Sequence, residues 1–292
     1  MHLGGMLDDR KSDIYTMIPD HYLPKTIVFQ AQNSDISELI KANNLTFPLI
    51  VKPDIGYKGF MVKRVDDEKE LHRVLGQFEE KEVLVQEFLN HEREFAFLFY
   101  RMPKSQKYGV SSFVEKILPY VMGDGKSNLK ALIEENANAF LDLGYVLNKK
   151  KEDLDTIIPK GQKIIVDHVG NYSRGSKFYS RNDSIDESLI ETGRQFFNHL
   201  QGINFGRIDL KANSIADVKN GKFKVMEING VKSEPLHIYE PEMSWIKIWE
   251  VISEHWKILN SIAKEQLSGS YSLPSAKDGI EAAKSLKRQT TN

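Results

Sequence analysis

The sequence predicts an α/β architecture of the mixed, α+β kind. Strand-like runs such as Pro48-Leu49-Ile50-Val51 alternate with segments that repeat apolar residues at helical spacing, such as Ile185, Leu189, Phe196 and Leu200. The second half is rich in strands joined by polar turns, as at Asn220-Gly221. Hydrophobic residues make up 40% of the 292 positions, enough to fill the core of one large domain or two small ones.

In chain order, Lys11 to Ile18 reads as a helix stopped by Pro19, and Thr26 to Gln30 as a short strand. Ser34 is placed to cap a helix whose Ile36, Leu39 and Ile40 share one face. Phe47 to Pro53 is a buried strand ended by proline, Gly56 and Gly59 bracket a turn, Phe60 to Val65 is a strand and Asp67 to Gly76 a helix. Glu82 to Gln86 and Glu94 to Arg101 are strands, and Tyr108 to Val121 is strand-like but irregular. Ser127 to Leu147 is helical with Ser127 as its cap, and Lys149 to Asp153 is a solvated charge run. Lys163 to Asp167 is a strand, His168 to Asp183 fits neither period and reads as a loop, and Ile185 to Leu200 is a helix. Phe205 to Lys211 and Lys222 to Ile228 pair as strands across Asn220-Gly221. Glu242 to Ala263 is a long helix whose Trp245, Ile248, Trp249, Ile252, Trp256 and Leu259 are expected in the core. Beyond Gln266 the composition turns to Ser, Lys, Ala and Gly, as in a mobile tail.

Composition excludes several function classes. A net charge of −1 gives no electrostatic footprint for nucleic acid. The absence of cysteine removes disulfides and thiolate metal sites and suits a reducing, cytoplasmic setting. No apolar run approaches the roughly 18–20 residues of a membrane span, and the first residues do not form a signal peptide.

Four segments carry chemistry. In Gly206-Arg207-Ile208-Asp209 and Met226-Glu227-Ile228-Asn229, residues two apart point the same way, so paired strands bring Arg207, Asp209, Glu227 and Asn229 together. Two carboxylates and an amide oxygen are hard ligands suited to magnesium; a salt bridge from Arg207 is the simpler alternative. Lys52 at a strand end before the glycine turn can set an ammonium and free N–H groups around phosphate. Gly125-Lys126-Ser127 is not a P-loop, because Tyr120 stands where that motif needs glycine. Backbone groups at Glu87, Phe88 and Leu89 can face an adenine edge and Glu94 a ribose, though an ordinary edge strand would look the same. Arg174 and Lys177, on the loop Gly170 to Phe178, can close over a phosphate or simply face solvent. No Ser-His-Asp or Cys-His arrangement is apparent.

The order of these motifs, Val51-Lys52-Pro53, Val85-Gln86-Glu87, Arg93-Glu94-Phe95, a cationic loop, Gly206-Arg207-Ile208-Asp209 and Met226-Glu227-Ile228-Asn229, resembles that of the ATP-grasp superfamily, above all the D-alanine–D-alanine ligase branch. The resemblance covers about Lys11 to Glu240. It implies two α+β lobes holding ATP between antiparallel sheets: a short N-terminal segment 1–46, a small lobe 47–110, a C-terminal lobe with the metal site 111–265, and the tail 266–292. Residues 1–46 are too few for the family's separate N-terminal substrate domain, which is expected to be short or absent.

Carried over by position, the resemblance implies that Lys11 and Lys52 contact nucleotide phosphates, with Gly56 and Gly59 in the turn between. Gln86, Glu87, Phe88 and Leu89 would border the adenine, and Glu94 would hold the ribose. Asp209, Glu227 and Asn229 would bind magnesium, expected as two ions with manganese as a substitute. Arg207, Lys177 and Arg174 would be the catalytic cations. Ser233, Glu234 and His237 lie where the family seats its acceptor, but depart from the ligase pattern. The Val121 to Ser127 segment is similar to one in ATP-grasp amide ligases and is expected to be architectural. The expected activity is an ATP-dependent ligation of a small-molecule or peptide carboxylate to an amine or thiol; a kinase-like transfer or a non-catalytic nucleotide-binding module are the alternatives. A homodimer is compatible with the sequence.

Overall fold

The computed structural model describes residues 10–30, 35–56, 61–78, 82–136, 143–149 and 153–267, with isolated positions from 275 to 284. The elements are α1 (Lys11–Tyr15), β1 (Thr26–Phe29), α2 (Ile36–Ala42), β2 (Leu49–Pro53), β3 (Lys63–Val65), α3 (Glu68–Leu75), β4 (Val83–Glu87), β5 (Arg93–Arg101) and β6 (Tyr108–Ile117). They continue as β7 (Tyr120–Met122), α4 (Leu129–Glu135), α5 (Leu143–Lys149), β8 (Lys163–Ile165), β9 (Lys177–Ser180), α6 (Glu187–His199), β10 (Phe205–Ala212), α7 (Ile215–Lys219), β11 (Lys224–Asn229) and α8 (Trp245–Leu267).

Two antiparallel sheets dominate. A four-stranded sheet runs β1-β4-β2-β3 and a five-stranded sheet runs β11-β10-β5-β6-β9, with β7 and β8 forming a separate ribbon. In the smaller sheet Ile27, Val51, Val65 and Val85 pack under α2 and α3, through Ile36, Ile40, Leu71 and Val74. Helix α3 begins where the Asp67 side chain accepts from the Glu70 N–H, a capping bond worth about 1 kcal/mol. Helix α6 is capped in the same way by Asp186, bonded to the Leu189 N–H.

Period-two alternation gives the larger sheet two unlike faces. Its back face carries Phe95, Phe97, Phe99, Phe113, Ile208 and Leu210, which meet Phe196 and Phe197 of α6 in one aromatic core. The Phe99 and Phe197 rings stack with centroids 4.4 Å apart. The front face carries Arg207, Asp209 and Lys211 on β10, Glu94 on β5 and Lys116 on β6, with Asp209 paired to Ala96 and Lys211 to Glu94 across β10 and β5. At the far end of this face Leu98 and Phe205 pack against Ile262 of α8.

Several expectations are revised. The segment 168–183 contains β9, which adds an edge to the large sheet by pairing with β6; its polar, glycine-bearing sequence hides a run of only four paired residues. Tyr108 to Val121 divides into β6 and β7, and the described residues of Ser127 to Leu147 carry α4 and the start of α5. Asn128, not Ser127, caps α4 through the Ala131 N–H, while the Ser127 hydroxyl donates to Asp124. The connection from β10 to β11 contains α7, started by the Ser214 cap, before the turn at Asn220-Gly221. Among the described residues of the Phe60 to Val65 run, Lys63–Val65 is a strand; Phe60 and Ser34 lie outside the described residues. The largest correction concerns α8: Trp245, Trp249 and Trp256 are 82%, 71% and 67% exposed. The body of the protein covers a neighbouring face of the helix, through Val251, His255 and Ile262.

Phe97 is fully buried between β5 and α6. Phe97→Ala should lower the unfolding free energy by about 3–5 kcal/mol through lost transfer energy and the cavity left behind. Urea denaturation followed by circular dichroism measures this, and a loss below 1 kcal/mol would contradict the assignment of this core.

Candidate active site

The front of the large sheet and the face of the small sheet that carries Lys52 and Gln86 enclose a cavity of about 630 Å³, lined from one side by Lys11, Lys52, Gly56, Gln86, Glu87, Phe88 and Leu89 and from the other by Glu94, Lys116, Arg207, Asp209, Glu227 and Asn229. This volume lies within the usual range for small-molecule sites.

Strand register assembles the acidic end. Asp209 stands directly opposite Glu227, and Arg207 opposite Asn229, on adjacent antiparallel strands. Arg207 Nε donates to Asp209 Oδ1 at 2.8 Å, and Lys116 Nζ sits 3.1 Å from Asp209 Oδ2 and 3.2 Å from Glu94 Oε1. Desolvation works against a charged Asp209, but Arg207 and Lys116 outweigh it and hold its carboxyl below the ordinary value. Desolvation likewise opposes the Lys116 ammonium, and the two carboxylates reverse the balance and raise it. Glu94 is packed so closely on Gly170 that a Cβ there would lie 2.1 Å from Glu94 Oε1, and any larger residue would displace the carboxylate.

The opposite wall is cationic. Lys52 Nζ lies 2.9 Å from the Tyr15 hydroxyl, 3.1 Å from Gln86 Oε1 and 3.2 Å from the Met226 carbonyl. The Gln86 oxygen therefore already accepts from Lys52, and its amide nitrogen donates to Thr26 Oγ1. Lys11 Nζ donates to the Gly56 carbonyl at 3.0 Å. Burial lowers the Lys11 pKa, partly offset by Glu227 and reinforced by Lys52. Phe88 is flanked by the Arg64 and Lys211 cations, 4.8 and 5.3 Å from its ring centroid, and Glu87 Oε1 accepts from the Lys25 N–H.

At the remaining end Ser233, Glu234, Lys232, Tyr172 and Tyr239 line the opening. Tyr239 donates to the Glu234 carboxylate and its pKa is pushed up to about 12, by burial first and then by that bond. His237 does not line the cavity. The single turn Leu236–Tyr239 points Leu236 and Tyr239 inward and turns His237 back onto Ser112, 2.8 Å from its hydroxyl. Burial and the neighbouring His255 lower its pKa to about 4.

Arg174 and Lys177 also stand outside the lining. Arg174 reaches the buried Asp167 at 3.4 Å. Lys177 is exposed because alternation along β9 turns Phe178, its neighbour, toward the cavity opposite Lys116. Gly59 lies outside the described residues. Lys116 and Lys211 are site residues that the motif reading missed. Lys211 follows Arg207 and Asp209 at the same two-residue step, which was a usable signal; Lys116 had none beyond a charge in an apolar run.

The donor set can be tested for a divalent cation. Among the described residues no three His, Cys, Asp or Glu side chains converge on one point. Asp209, Glu227 and the amide of Asn229 do share the cavity, and Asn229 Nδ2 is buried without a hydrogen-bond partner. An amide with an unpaired nitrogen is not anchored by the protein, so it can turn its oxygen to a cation. This hard-oxygen set fits magnesium if water and a ligand's phosphate oxygens complete the shell.

The sequence matches the model of the RimK-like ATP-grasp domain over residues 19–97. No curated protein matches it by sequence. Among solved structures, it is similar to a bifunctional glutathione synthetase from Pasteurella multocida at 16% identity, with 88% of this chain and 37% of that one covered and a TM-score of 0.45. It is similar to the VanG D-Ala:D-Ser ligase from Enterococcus faecalis at 17% identity, covering 88% and 61% with a TM-score of 0.49. For D-alanine–D-alanine ligase from Bacillus anthracis the values are 17%, 89%, 67% and 0.48. The chain thus spans well under two thirds of the first of these relatives and about three fifths of the second. With its two facing antiparallel sheets and the domain match over residues 19–97, this chain has the ATP-grasp fold.

Proposed function

We propose that the chain is an ATP- and magnesium-dependent ligase that joins a carboxylate to an amine or thiol through an acylphosphate and releases ADP. The observation that carries this reading is the register of β10 and β11, which sets Asp209 against Glu227 beside Arg207 and Asn229, facing Lys52 of the other sheet and Lys11 of α1.

In this reading the nucleobase lies along Glu87, Phe88 and Leu89, and Glu94 turns its free side to the ribose. Lys11 and Lys52 neutralise the phosphates. Magnesium, held by Asp209, Glu227 and Asn229, would screen the phosphate charge and fix the phosphate oxygens for transfer. Arg207 steadies the phosphoryl group as a substrate carboxylate oxygen attacks the γ-phosphorus and the bond to the β–γ bridging oxygen breaks. The amine nitrogen then attacks the acyl carbon, the carbon–oxygen bond to phosphate breaks, and a proton is lost to solvent. Ser233, Glu234, Lys232 and Tyr239 border the acceptor. Arg174 and Lys177 take part only if the segment from His168 to Ser176 closes over bound nucleotide, whereas Lys116 already stands in the cavity. His237, bonded to Ser112, is left out of the acceptor site.

Hydroxylamine serves as a general amine for the test. With a panel of carboxylic acids, the wild type should release phosphate and form a hydroxamate only when ATP, magnesium and an acid are present together. Asp209→Asn and Glu227→Gln should each reduce that rate by about 10²–10³. ATP hydrolysis indifferent to every acid and amine would sink the ligase reading. A stable phosphorylated product made without amine would replace it with a kinase.

The electrostatics give a separate expectation. Asp209 has a depressed folded pKa, so the stability it brings is fully present above its unfolded pKa of about 3.9 and is lost as pH falls through the lower folded value. Lys116→Met removes one of its two cations. Acid unfolding of that variant, followed by circular dichroism, should therefore begin at a higher pH than in the wild type; equal acid midpoints would show that Arg207 alone sets the carboxylate.

A further inference from the structure

Helix α8 carries an apolar stripe that stands open among the described residues. Trp245, Trp249, Ile252 and Trp256 follow one another at steps of four, three and four residues, the spacing of a coiled-coil seam, and Leu259, which continues the step, turns in to pack with Ile262 against Leu98 and Phe205. Val251, His255 and Ile262 face the body of the protein, and the tryptophans project about a third of a turn away from them around the helix. The three indoles alone leave on the order of 400–500 Å² open, taking about 150–250 Å² per large aromatic. Ile246 and Leu267, both exposed, extend the patch. Such an area equals the largest patch of a typical monomer, about 300–600 Å². It is more than half of the roughly 800 Å² that one partner gives to a standard interface.

The stripe is self-complementary. Ser253, the small residue near its centre, lies between Trp249 and Trp256, and Ile246, Trp249, Ser253 and Lys257 border a shallow depression beside it. Turned end for end about Ser253, the helix presents Trp256 to the turn that holds Trp249, and Glu250 to Lys257. The other occupants fit less well. Ile280, in the segment that follows the helix, is itself 56% exposed rather than seated on the stripe. The helix has three lysines (Lys247, Lys257, Lys264) and three glutamates (Glu250, Glu254, Glu265), which gives no cationic excess for an anionic membrane surface.

We propose that α8 pairs antiparallel with α8 of a second copy of this chain, closing the tryptophan stripe in a two-fold interface. Trp249 and Trp256 are the anchors, in keeping with the weight that buried tryptophans carry in interfaces, and Glu250 meets Lys257 of the other copy on both sides of the axis.

Sedimentation velocity of the full chain over a dilution series tests this. The wild type should sediment at twice its 33.5 kDa mass and dissociate on dilution. Trp249→Lys and Trp256→Lys should each be monomeric at every concentration, with circular dichroism and ATP-analogue binding unchanged, because neither residue lines the nucleotide cavity. Glu250→Lys and Lys257→Glu should each weaken the dimer, and an equimolar mixture of the two should restore it, since every contact across the axis is then between opposite charges. A wild type that stays monomeric throughout, or one that floats with phosphatidylcholine vesicles as a monomer, would overturn the proposal. A dimer that survives both tryptophan substitutions, or charge variants that do not rescue each other, would overturn it as well.

Discussion

A carboxylate at the position of Asp209, almost entirely withdrawn from water, keeps its charge only if counter-charge is built around it. Three neighbouring strands answer that demand. Arg207 supplies one cation from the same strand and Lys116 another from β6, while Lys116 is in turn held by Glu94 on β5. Lys116 on β6 reaches over β5 to Asp209 on β10 and holds Glu94 of β5 as well, so all three strands contribute, and a slip of one residue in any of them would turn its member into the aromatic core behind. Core and site specify each other through this shared register. The phenylalanines on the back face need their alternation for packing, and the charged residues occupy the alternate positions that packing leaves over.

The same constraint explains the composition of the opposing wall. Glu227, facing Asp209, lies in the field of Arg207 on its own sheet and of Lys11 across the cavity, where Lys52 also stands. Lys52 is fixed by a tyrosine hydroxyl, an amide oxygen and a backbone carbonyl, all neutral acceptors. Such partners orient the ammonium without cancelling its charge, and so leave it available to an anion. Lys116 is the opposite case, with both partners anionic. One lysine is thereby suited to hold a ligand's phosphate and the other to hold protein carboxylates in place.

Much of this was legible in the sequence, for identifiable reasons. The step of two from Arg207 to Asp209 and from Glu227 to Asn229 survives any uncertainty in strand ends, so the clustering of these side chains could be read before the register was seen. Lys52 could be read because a proline and a glycine turn mark the end of its strand, whereas Gln86 and Phe88 were placed by the order of the motifs alone. Lys116 was missed, since its partners come from strands distant in sequence and nothing local distinguishes it from a surface lysine. Lys177 and Arg174 were read by order along the chain, which fixes neighbourhood but not direction. One residue of alternation in β9 decides that Phe178 and not Lys177 faces the cavity. His237 shows the same limit in a single helical turn.

Helix α8 marks where periodicity itself runs out. Apolar residues at helical spacing establish that a face must be covered, but they do not say by what. Here the helix has two such faces, about a third of a turn apart around its axis. One is filled by Leu98 and Phe205 from the front of the large sheet, and so closes the end of the face whose other end is the cavity. The second repeats with the four-three step of a helix that expects another helix, not a sheet. A sheet surface accepts a broad stripe of mixed side chains, whereas the tryptophans form a narrow seam with a serine at its middle. The two patterns on one helix are therefore separable in principle. The broad face belongs to folding and the narrow one to association, and reading both as core is the error that follows when only their period is counted.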